Sequence, residues 1–146
     1  MQIYIKIWKM FYQYRIEPAS LKIQIFIANQ VPCILLLQLM EECRSQDITP
    51  VVTLSHFDMP YGLENEHGGW LNPKSVDWFV SYADVCFQMF GHLVPIWATF
   101  NEPEQTVWGG WEVGVWPPGK SENMGRDIYT ASKNIIMAHA KVYRQV

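Results

Sequence analysis

Short apolar runs and longer amphipathic segments alternate along this chain. The runs 51–55 and 94–100 are rich in β-branched and aromatic residues, a pattern typical of buried strands. The run 94–100 is apolar on both of its faces, which predicts a strand buried on both sides. Closer to the N-terminus, residues 3–7 and 23–27 place isoleucine at every second position, as half-buried strands do.

Three segments carry apolar residues at three- and four-residue spacing, which predicts amphipathic helices. The first begins near Ile34 and the third near Arg126. The second begins at Asn72 and Pro73, because Asn caps helices and Pro is favoured at the first helical position, and Gly91 stops it. The predicted buried stripes are Leu36, Leu39, Met40 and Cys43 in the first segment, Val76, Phe79, Val80, Ala83, Phe87 and Phe90 in the second, and Ile128, Ala131, Ile135, Ala138 and Val142 in the third.

The order of these elements predicts an α/β fold. A strand, a helix and a second strand follow one another between residues 51 and 100, which is the order of a βαβ unit with two parallel neighbouring strands. Residues 104–125 are rich in Gly, Pro and Trp and predict a long loop. Loops of that length in compact domains are usually functional or disordered, so this segment is a candidate part of a site.

Polar residues follow directly where the second strand stops. Asn101 and Glu102 come after the apolar run, and Pro103 is expected to hold Glu102 in an extended conformation. In folds built on parallel strands, ligands and catalytic groups collect at the carboxyl ends of the strands. Glu102 is therefore a candidate acid, base or nucleophile, although an ordinary solvated loop carboxylate would give the same local pattern.

Charge and composition exclude several classes of partner. The formal net charge is −3 and no long cluster of Lys and Arg occurs, so we expect no nucleic-acid partner. An uninterrupted apolar span of about 20 residues is also absent, so we expect no membrane partner. The three cysteines form no Cys-x-x-Cys pair, and the four histidines lack the spacing of metal ligands, which predicts no metal site. Seven tryptophans suit a buried interior or surfaces on which sugars stack.

Four motifs together resemble those of glycoside hydrolase family 1, the β-glucosidase family. Residues 99–103, Thr-Phe-Asn-Glu-Pro, are similar to the signature of that family. Residues 52–60 resemble its strand-three motif, residues 68–72 resemble the segment entering its third helix, and residues 138–140 resemble a short motif in its fourth helix. The four occur in the family's order and spacing, which makes the resemblance specific.

This resemblance implies an incomplete (β/α)8 TIM barrel. It covers about residues 34–146, the span from roughly helix 2 to helix 4 of the family's barrel. Residues 1–33 form a divergent N-terminal segment without recognisable family motifs. A complete barrel of this kind needs about 200 residues or more, whereas the sequence has 146.

The resemblance also implies roles for individual side chains. Glu102 corresponds to the family's catalytic acid/base, while Asn101 and His56 correspond to residues that contact the sugar. Trp108, Trp111 and Trp116 could stack against the leaving group. Each position also has an ordinary structural interpretation: a turn amide, a hydrogen-bonded histidine and loop packing. The implied partner is a β-linked glucoside or a related glycoside, with water as second substrate and no cofactor.

One part of the family's site has no counterpart in the printed sequence. The family's nucleophile is a Glu in an Ile/Val-Thr-Glu-Asn-Gly motif, which these 146 residues do not contain. Glu64, Glu66, Glu104 and Glu112 are interpreted as surface charges. The first hypothesis is therefore a retaining β-glycosidase whose acid/base is present and whose nucleophile is missing. The alternative is a catalytically inactive fragment that acts as a sugar-binding or interaction remnant.

Overall fold

The computed structural model describes residues 4–6 and 30–145, and three parallel strands form its sheet in the order β1-β2-β3. The strands are joined by helices, as predicted, and β2 and β3 are parallel neighbours. The elements in chain order are β1 (Tyr4–Lys6), α1 (Gln30–Ser45), β2 (Val51–Ser55), α2 (Tyr61–His67), a 3-10 helix (Gly69–Leu71), α3 (Ser75–Phe90), β3 (Ile96–Phe100), α4 (Pro103–Trp111) and α5 (Asp127–Tyr143).

The helical stripes read from the sequence form most of the core. Helices α3 and α5 pack against each other, and their predicted apolar residues are buried or half-buried. In α1 one prediction is wrong, because Leu39 lies on the exposed side of the helix. The residues of the three stripes that are buried are Leu36, Met40, Cys43, Val76, Phe79, Ala83, Phe90, Ala131, Ile135, Ala138 and Val142.

Strand β3 departs from its prediction. It begins at Ile96, after Pro95, and it is not buried on both faces: Ile96 is exposed and the other four residues are half-buried. The reason is its position, since β3 is the last strand of the described sheet and pairs on one side with β2. An apolar composition alone does not tell whether neighbouring elements cover a strand.

Two helices were not predicted. The first, α2, follows the turn 56–60 after β2, and the second, α4, occupies residues 104–111 of the predicted loop 104–125. Pro103 stands at the first position of α4, where its fixed φ suits a helix and its missing N–H is not needed. Gly109 and Gly110 lower the helical preference of this segment, which is why the sequence pattern favours a loop there.

Near the N-terminus only a short strand is described. The alternation at residues 3–7 corresponds to β1, whose three residues pair with Val51, Val52 and Thr53. The alternation at residues 23–27 lies outside the described residues. Within the described part of the chain, no helix is long and apolar enough to cross a bilayer.

A tyrosine and a cysteine on α3 are buried side by side against β2. The Tyr82 hydroxyl donates a hydrogen bond to the Leu54 carbonyl over 3.0 Å, which ties the helix to the strand. Burial raises the pKa of the Tyr82 hydroxyl and also that of the Cys86 thiol. Both groups therefore stay protonated in the folded chain at a pH where the unfolded chain would already lose those protons.

We expect the chain to lose stability at alkaline pH. The unfolded pKa values are about 8.5 for Cys and about 10 for Tyr, so the contribution of both groups is complete below those values and declines as pH rises. Each group can lower the free energy of unfolding by about 1 kcal/mol per pH unit. Urea unfolding followed between pH 7 and 11 measures this; Tyr82→Phe should flatten the decline above about pH 10, whereas Tyr61→Phe, at an exposed site, should not.

Candidate active site

The tips of β2 and β3 turn in the same way at equivalent positions. Ser55 at the end of β2 pairs with Phe100 at the end of β3, and each is followed by a predicted site residue, His56 or Asn101. The next residue in each case, Phe57 or Glu102, has a positive φ of 61° or 41°. Such backbone is strained for a residue with a side chain, and strain of this kind collects at functional sites.

The conformation of Glu102 differs from the expected one. The sequence predicts an extended residue before Pro103, whereas Glu102 is left-handed, with φ 41° and ψ 61°. Pro103 does disfavour the right-handed helical conformation at Glu102, but α4 begins at Pro103 itself. The chain must therefore reverse from strand to helix within two residues, Asn101 and Glu102, and the left-handed conformation of Glu102 achieves that turn.

The start of α4 holds the Asn101–Glu102 backbone. The Thr106 N–H donates to the Glu102 carbonyl over 2.9 Å, and the Thr106 hydroxyl is 3.1 Å from the same oxygen and 3.4 Å from the Asn101 carbonyl. The Glu102 side chain makes no capping hydrogen bond to α4 and is exposed. The backbone of Glu102 is thus fixed at the end of the sheet, while its side chain is exposed and does not cap its own helix.

The two strand tips lie side by side. The Asn101 N–H donates to the Ser55 carbonyl over 2.9 Å, which extends the parallel ladder one step beyond Phe100. The His56 N–H donates to Asp58 Oδ1 over 2.8 Å, so the turn after β2 is closed by a local side-chain contact. The structure therefore brings the backbones of His56 and Asn101 to adjacent positions at one edge of the sheet.

The three tryptophans differ in exposure. Trp108 is 46% exposed on α4, Trp116 is 48% exposed in the loop after α4, and Trp111 is only 1% exposed. The Trp116 ring stacks on Phe57 with centroids 5.9 Å apart and planes 17° apart. This pair forms an aromatic platform next to His56, whose ring meets Phe57 edge-on at 5.3 Å.

The loop after α4 folds back onto the two glycines of that helix. A Cβ at Gly109 would overlap the Trp116 ring, and one at Gly110 would come within 2.9 Å of the Pro117 carbonyl. The backbone N–H of Trp116 donates to the Gly109 carbonyl over 3.0 Å, and the backbone N–H of Lys120 donates to the Gly110 carbonyl over 2.9 Å. Glycine in α4 therefore weakens the helix but lets the loop carrying Trp116 lie directly on its backbone.

A cavity of about 650 Å³ lies between this loop, α2 and the turn after β2. His56, Phe57, Trp111 and Trp116 line it together with Glu64 and Lys120. Asn101, Glu102 and Trp108 do not. The predicted site residues thus fall into two groups. Asn101 and Glu102 lie at the strand tips, and Trp111 and Trp116 line the cavity. His56 belongs to both regions.

Sequence reasoning missed one charged pair in this region. Glu64 was interpreted as a surface charge, but its side chain is only 12% exposed and one of its oxygens lies 2.5 Å from Lys120 Nζ. The pair joins α2 to the loop after α4 across 56 positions of sequence. No local pattern signals a contact between residues so far apart in the chain.

In the described part of the chain, no three His, Cys, Asp or Glu side chains gather as metal ligands would.

Comparison with known proteins supplies the context for these residues. The family model of glycosyl hydrolase family 1 matches residues 35–146. Beta-glucosidase 10 of Arabidopsis thaliana is 41% identical over 119 residues, which cover 73% of this chain and 23% of that protein. Lactase/phlorizin hydrolase of Homo sapiens is 46% identical over 99 residues, which cover 68% of this chain and 5% of the human protein.

Solved structures agree with the sequence relatives. The rice Os3BGlu6 beta-glucosidase matches 80% of this chain and 27% of its own, with a TM-score of 0.75 at 33% identity. The family 1 β-glucosidase of Thermotoga maritima matches 99% of this chain and 30% of its own, with a TM-score of 0.81 at 28% identity. The chain spans less than a third of the length of these relatives and has the α/β structure of part of their barrel. Because the family model matches residues 35–146, which is most of the sequence, the chain belongs to glycosyl hydrolase family 1.

Proposed function

We propose that this chain carries the acid/base half of a β-glycosidase active site. Glu102 is the acid/base residue, and Asn101 and His56 contact the sugar. The substrate is a β-linked glucoside or a related glycoside, and the reaction is hydrolysis of an O-glycosyl bond with water as second substrate. A β-glucosidase of the same family was solved in complex with isofagomine lactam, and the matched portion of that protein covers 98% of this chain.

One observation carries this proposal. Two neighbouring strand tips turn at equivalent register positions through strained residues, and the residue at one of them is an exposed carboxylate that does not cap its own helix. Strain of about 1 to 3 kcal/mol persists only where the surrounding structure enforces it. Glycine would make this left-handed turn at lower cost, so a residue acting only as a solvated loop carboxylate has no need to bear the strain at this position.

The chemistry assigned to Glu102 follows the retaining mechanism. The protonated carboxyl gives its proton to the glycosidic oxygen as the bond from that oxygen to the anomeric carbon breaks, and a second carboxylate forms the new bond on the opposite face. Glu102 then accepts a proton from water as the water displaces that second carboxylate. The two carboxyl groups must stand about 5 to 5.5 Å apart. A second carboxylate in the family's motif does not occur in these 146 residues, so it must come from outside them.

The barrel assignment has a finer form, which is also a proposal. Residues 34–146 correspond to the span from helix 2 to helix 4 of a (β/α)8 barrel, and residues 1–33 form a divergent segment. The parallel order β1-β2-β3 and the exposed edge of β3 support this, since in a closed barrel a further strand would pair there. In that arrangement the exposed rings of Trp108 and Trp116 would face the leaving group. Trp111 is only 1% exposed, so its ring would not stack against the leaving group.

A hydrolysis assay with an added carboxylate tests the proposed function. The 146-residue chain alone should release methanol from methyl β-glucoside at close to the uncatalysed rate, because the covalent step lacks its nucleophile. Sodium formate should raise that rate, since formate can attack the anomeric carbon while Glu102 protonates the leaving oxygen, which an alkoxide requires. Methyl α-glucoside is the matched control and should not respond. Formate without effect on either anomer would contradict an acid/base role in this chain.

A second candidate function is sugar binding without catalysis. The aromatic platform of Phe57 and Trp116 beside a cavity that excludes Glu102 favours it. Flat aromatic faces offer apolar contact to the carbon side of a sugar ring, and this needs no carboxylate pair. Saturable binding of a glucoside with no turnover in the presence of formate would select this function over the first.

A further inference from the structure

The turn that carries His56 has a strained backbone. Phe57, the residue after His56, has a φ of 61°, a conformation that residues with large side chains rarely adopt. Such a conformation persists only where the surrounding structure enforces it. The His56 N–H is bonded to Asp58 Oδ1 within the turn, but this contact does not involve the Phe57 side chain. It leaves the Phe57 ring to be fixed from outside the turn.

The loop after α4, residues 112–126, contacts Phe57 through Trp116. The Trp116 ring stacks on Phe57 with planes 17° apart, and the Phe57 ring in turn meets the His56 ring edge-on. A Phe57 residue that relaxed to an ordinary backbone conformation would swing its ring away and lose this aromatic contact. The position of Trp116 therefore bears directly on the conformation of the turn.

An ion pair joins the same loop to α2. Lys120, four residues after Trp116, has its Nζ 2.5 Å from Glu64 Oε1. The Glu64 side chain is 12% exposed and that of Lys120 is 35% exposed, whereas the side chains of the pair Lys141 and Asp77 are 49% and 73% exposed. Water screens an exposed pair, so it contributes little, while a carboxylate withdrawn from water is destabilised when it loses its cation. Of these two pairs, Glu64 with Lys120 is therefore the one expected to fix the chain around it.

Both ends of this ion pair are anchored. A Cβ built on Gly69 would overlap Glu64 Oε2, so the carboxylate packs directly on the backbone of the 3-10 helix and has little room to follow a moving partner. At the other end, the backbone N–H of Lys120 donates to the Gly110 carbonyl of α4 over 2.9 Å. The pair therefore sets the distance between α2 and the middle of the loop that carries Trp116.

We propose that Lys120 is a positioning residue for the turn that carries His56. Its ion pair with Glu64 holds the loop, the loop keeps Trp116 stacked on Phe57, and the stack keeps the strained conformation that places His56 at the tip of β2. None of these contacts involves Glu102 or a bound ligand. The consequence for a sugar at His56 rests on the proposed function, whereas the link from Lys120 to the turn does not.

Backbone hydrogen exchange of the full chain tests this link without any ligand. Lys120→Met keeps the length of the side chain and removes its charge. The backbone amides of Trp116 and His56, whose hydrogen bonds lie in the loop and in the turn, should exchange at least about tenfold faster in this variant, because both segments open more often. The amides of α3 should exchange as in the parent chain, which shows that the fold is intact. Unchanged exchange at both amides overturns the proposal, and so does faster exchange at Trp116 alone, since the loop and the turn would then move independently.

Further variants identify the ion pair as the cause. Lys120→Arg keeps the cation and should exchange within about threefold of the parent chain. Glu64→Gln should match Lys120→Met, and the two substitutions together should add nothing to either alone, because each removes the same contact. Lys141→Met breaks the exposed pair with Asp77 and should leave the amides of Trp116 and His56 unchanged. An equal effect of Lys141→Met and Lys120→Met overturns the proposal.

A barrel completed with the remaining segments of the Thermotoga maritima β-glucosidase shows the consequence for the reaction. There Lys120→Met should lower kcat/KM for methyl β-glucoside about tenfold, and His56→Ala should lower it at least as much. In the His56→Ala background, Lys120→Met should have no further effect, because it acts through His56. Losses that add in full overturn the action through His56. A completed barrel without activity counts against the proposed function, and the exchange measurement, made without substrate, then decides the link from Lys120 to His56.

Discussion

Glu102→Gln is expected to lower hydrolysis of an alkyl β-glucoside by about 10²- to 10⁴-fold in a completed barrel. The barrel is a chimera in which this chain replaces the matching segment of the Thermotoga maritima β-glucosidase, to which 99% of the chain corresponds with a TM-score of 0.81. Gln is nearly the same shape as Glu but cannot give a proton to the departing alkoxide. The measurement is kcat/KM for the chimera with and without the substitution.

The leaving group provides the internal control for this prediction. A dinitrophenolate departs without a proton. In Glu102→Gln, the rate of its release from a dinitrophenyl β-glucoside should therefore fall far less than the rate of release of an alkoxide from an alkyl β-glucoside. Glu104 is exposed and directly follows Pro103 on the same helix. Glu104→Gln should therefore leave the hydrolysis rate of both substrates unchanged. A loss of equal size for both leaving groups would mean that Glu102 acts through structure rather than by proton transfer.

The parts of the fold that follow from local pattern were predictable. The apolar stripes of α3 and α5 are set by residues three and four positions apart, and such spacing identifies the buried face whatever the helices pack against. The parallel pairing of β2 and β3 follows because a helix connects them. The position of Asn101 beyond the end of β3 follows in the same way, since an apolar run ends where it meets polar residues.

The parts that depend on distant residues were not predictable. Glycine weakens α4 in isolation, but the loop carrying Trp116 packs on Gly109 and thereby favours that helix. The pair of Glu64 and Lys120 is separated by 56 positions and leaves no periodic signal. The exposure of β3 depends on whether a strand covers its open edge, and its own composition cannot report that.

The sequence predicts an extended conformation at Glu102, and this prediction is wrong although the restriction by Pro103 on which it rests is correct. Proline does restrict the residue before it, and that restriction excluded the helical conformation at Glu102. What the sequence did not reveal is that α4 starts at the proline itself, which leaves only Asn101 and Glu102 to reverse the chain. The positive φ at Glu102 follows from this two-residue connection between β3 and α4, and the pattern of the sequence does not show it.

Phe79→Ala is expected to lower the free energy of unfolding by about 3 to 5 kcal/mol. Phe79 is fully buried on α3 and stacks on Phe100 with ring centroids 4.4 Å apart and planes 22° apart. Trp70 lies 5.7 Å and Tyr82 5.8 Å from the same ring, so truncation leaves a cavity bounded by aromatic groups that cannot collapse easily. Urea unfolding followed by circular dichroism measures the loss.

The same substitution should also disturb the strand tip, because Phe100 immediately precedes Asn101 and rests on the Phe79 ring. Tyr143→Ala removes an exposed aromatic residue at the end of α5 and should change stability by no more than about 0.5 kcal/mol. A loss at Phe79→Ala no larger than that would show that this ring does not anchor β3. A large loss, together with weaker glucoside binding at the strand tip under conditions where the variant remains folded, would tie the core beneath β3 to the geometry of Asn101 and Glu102.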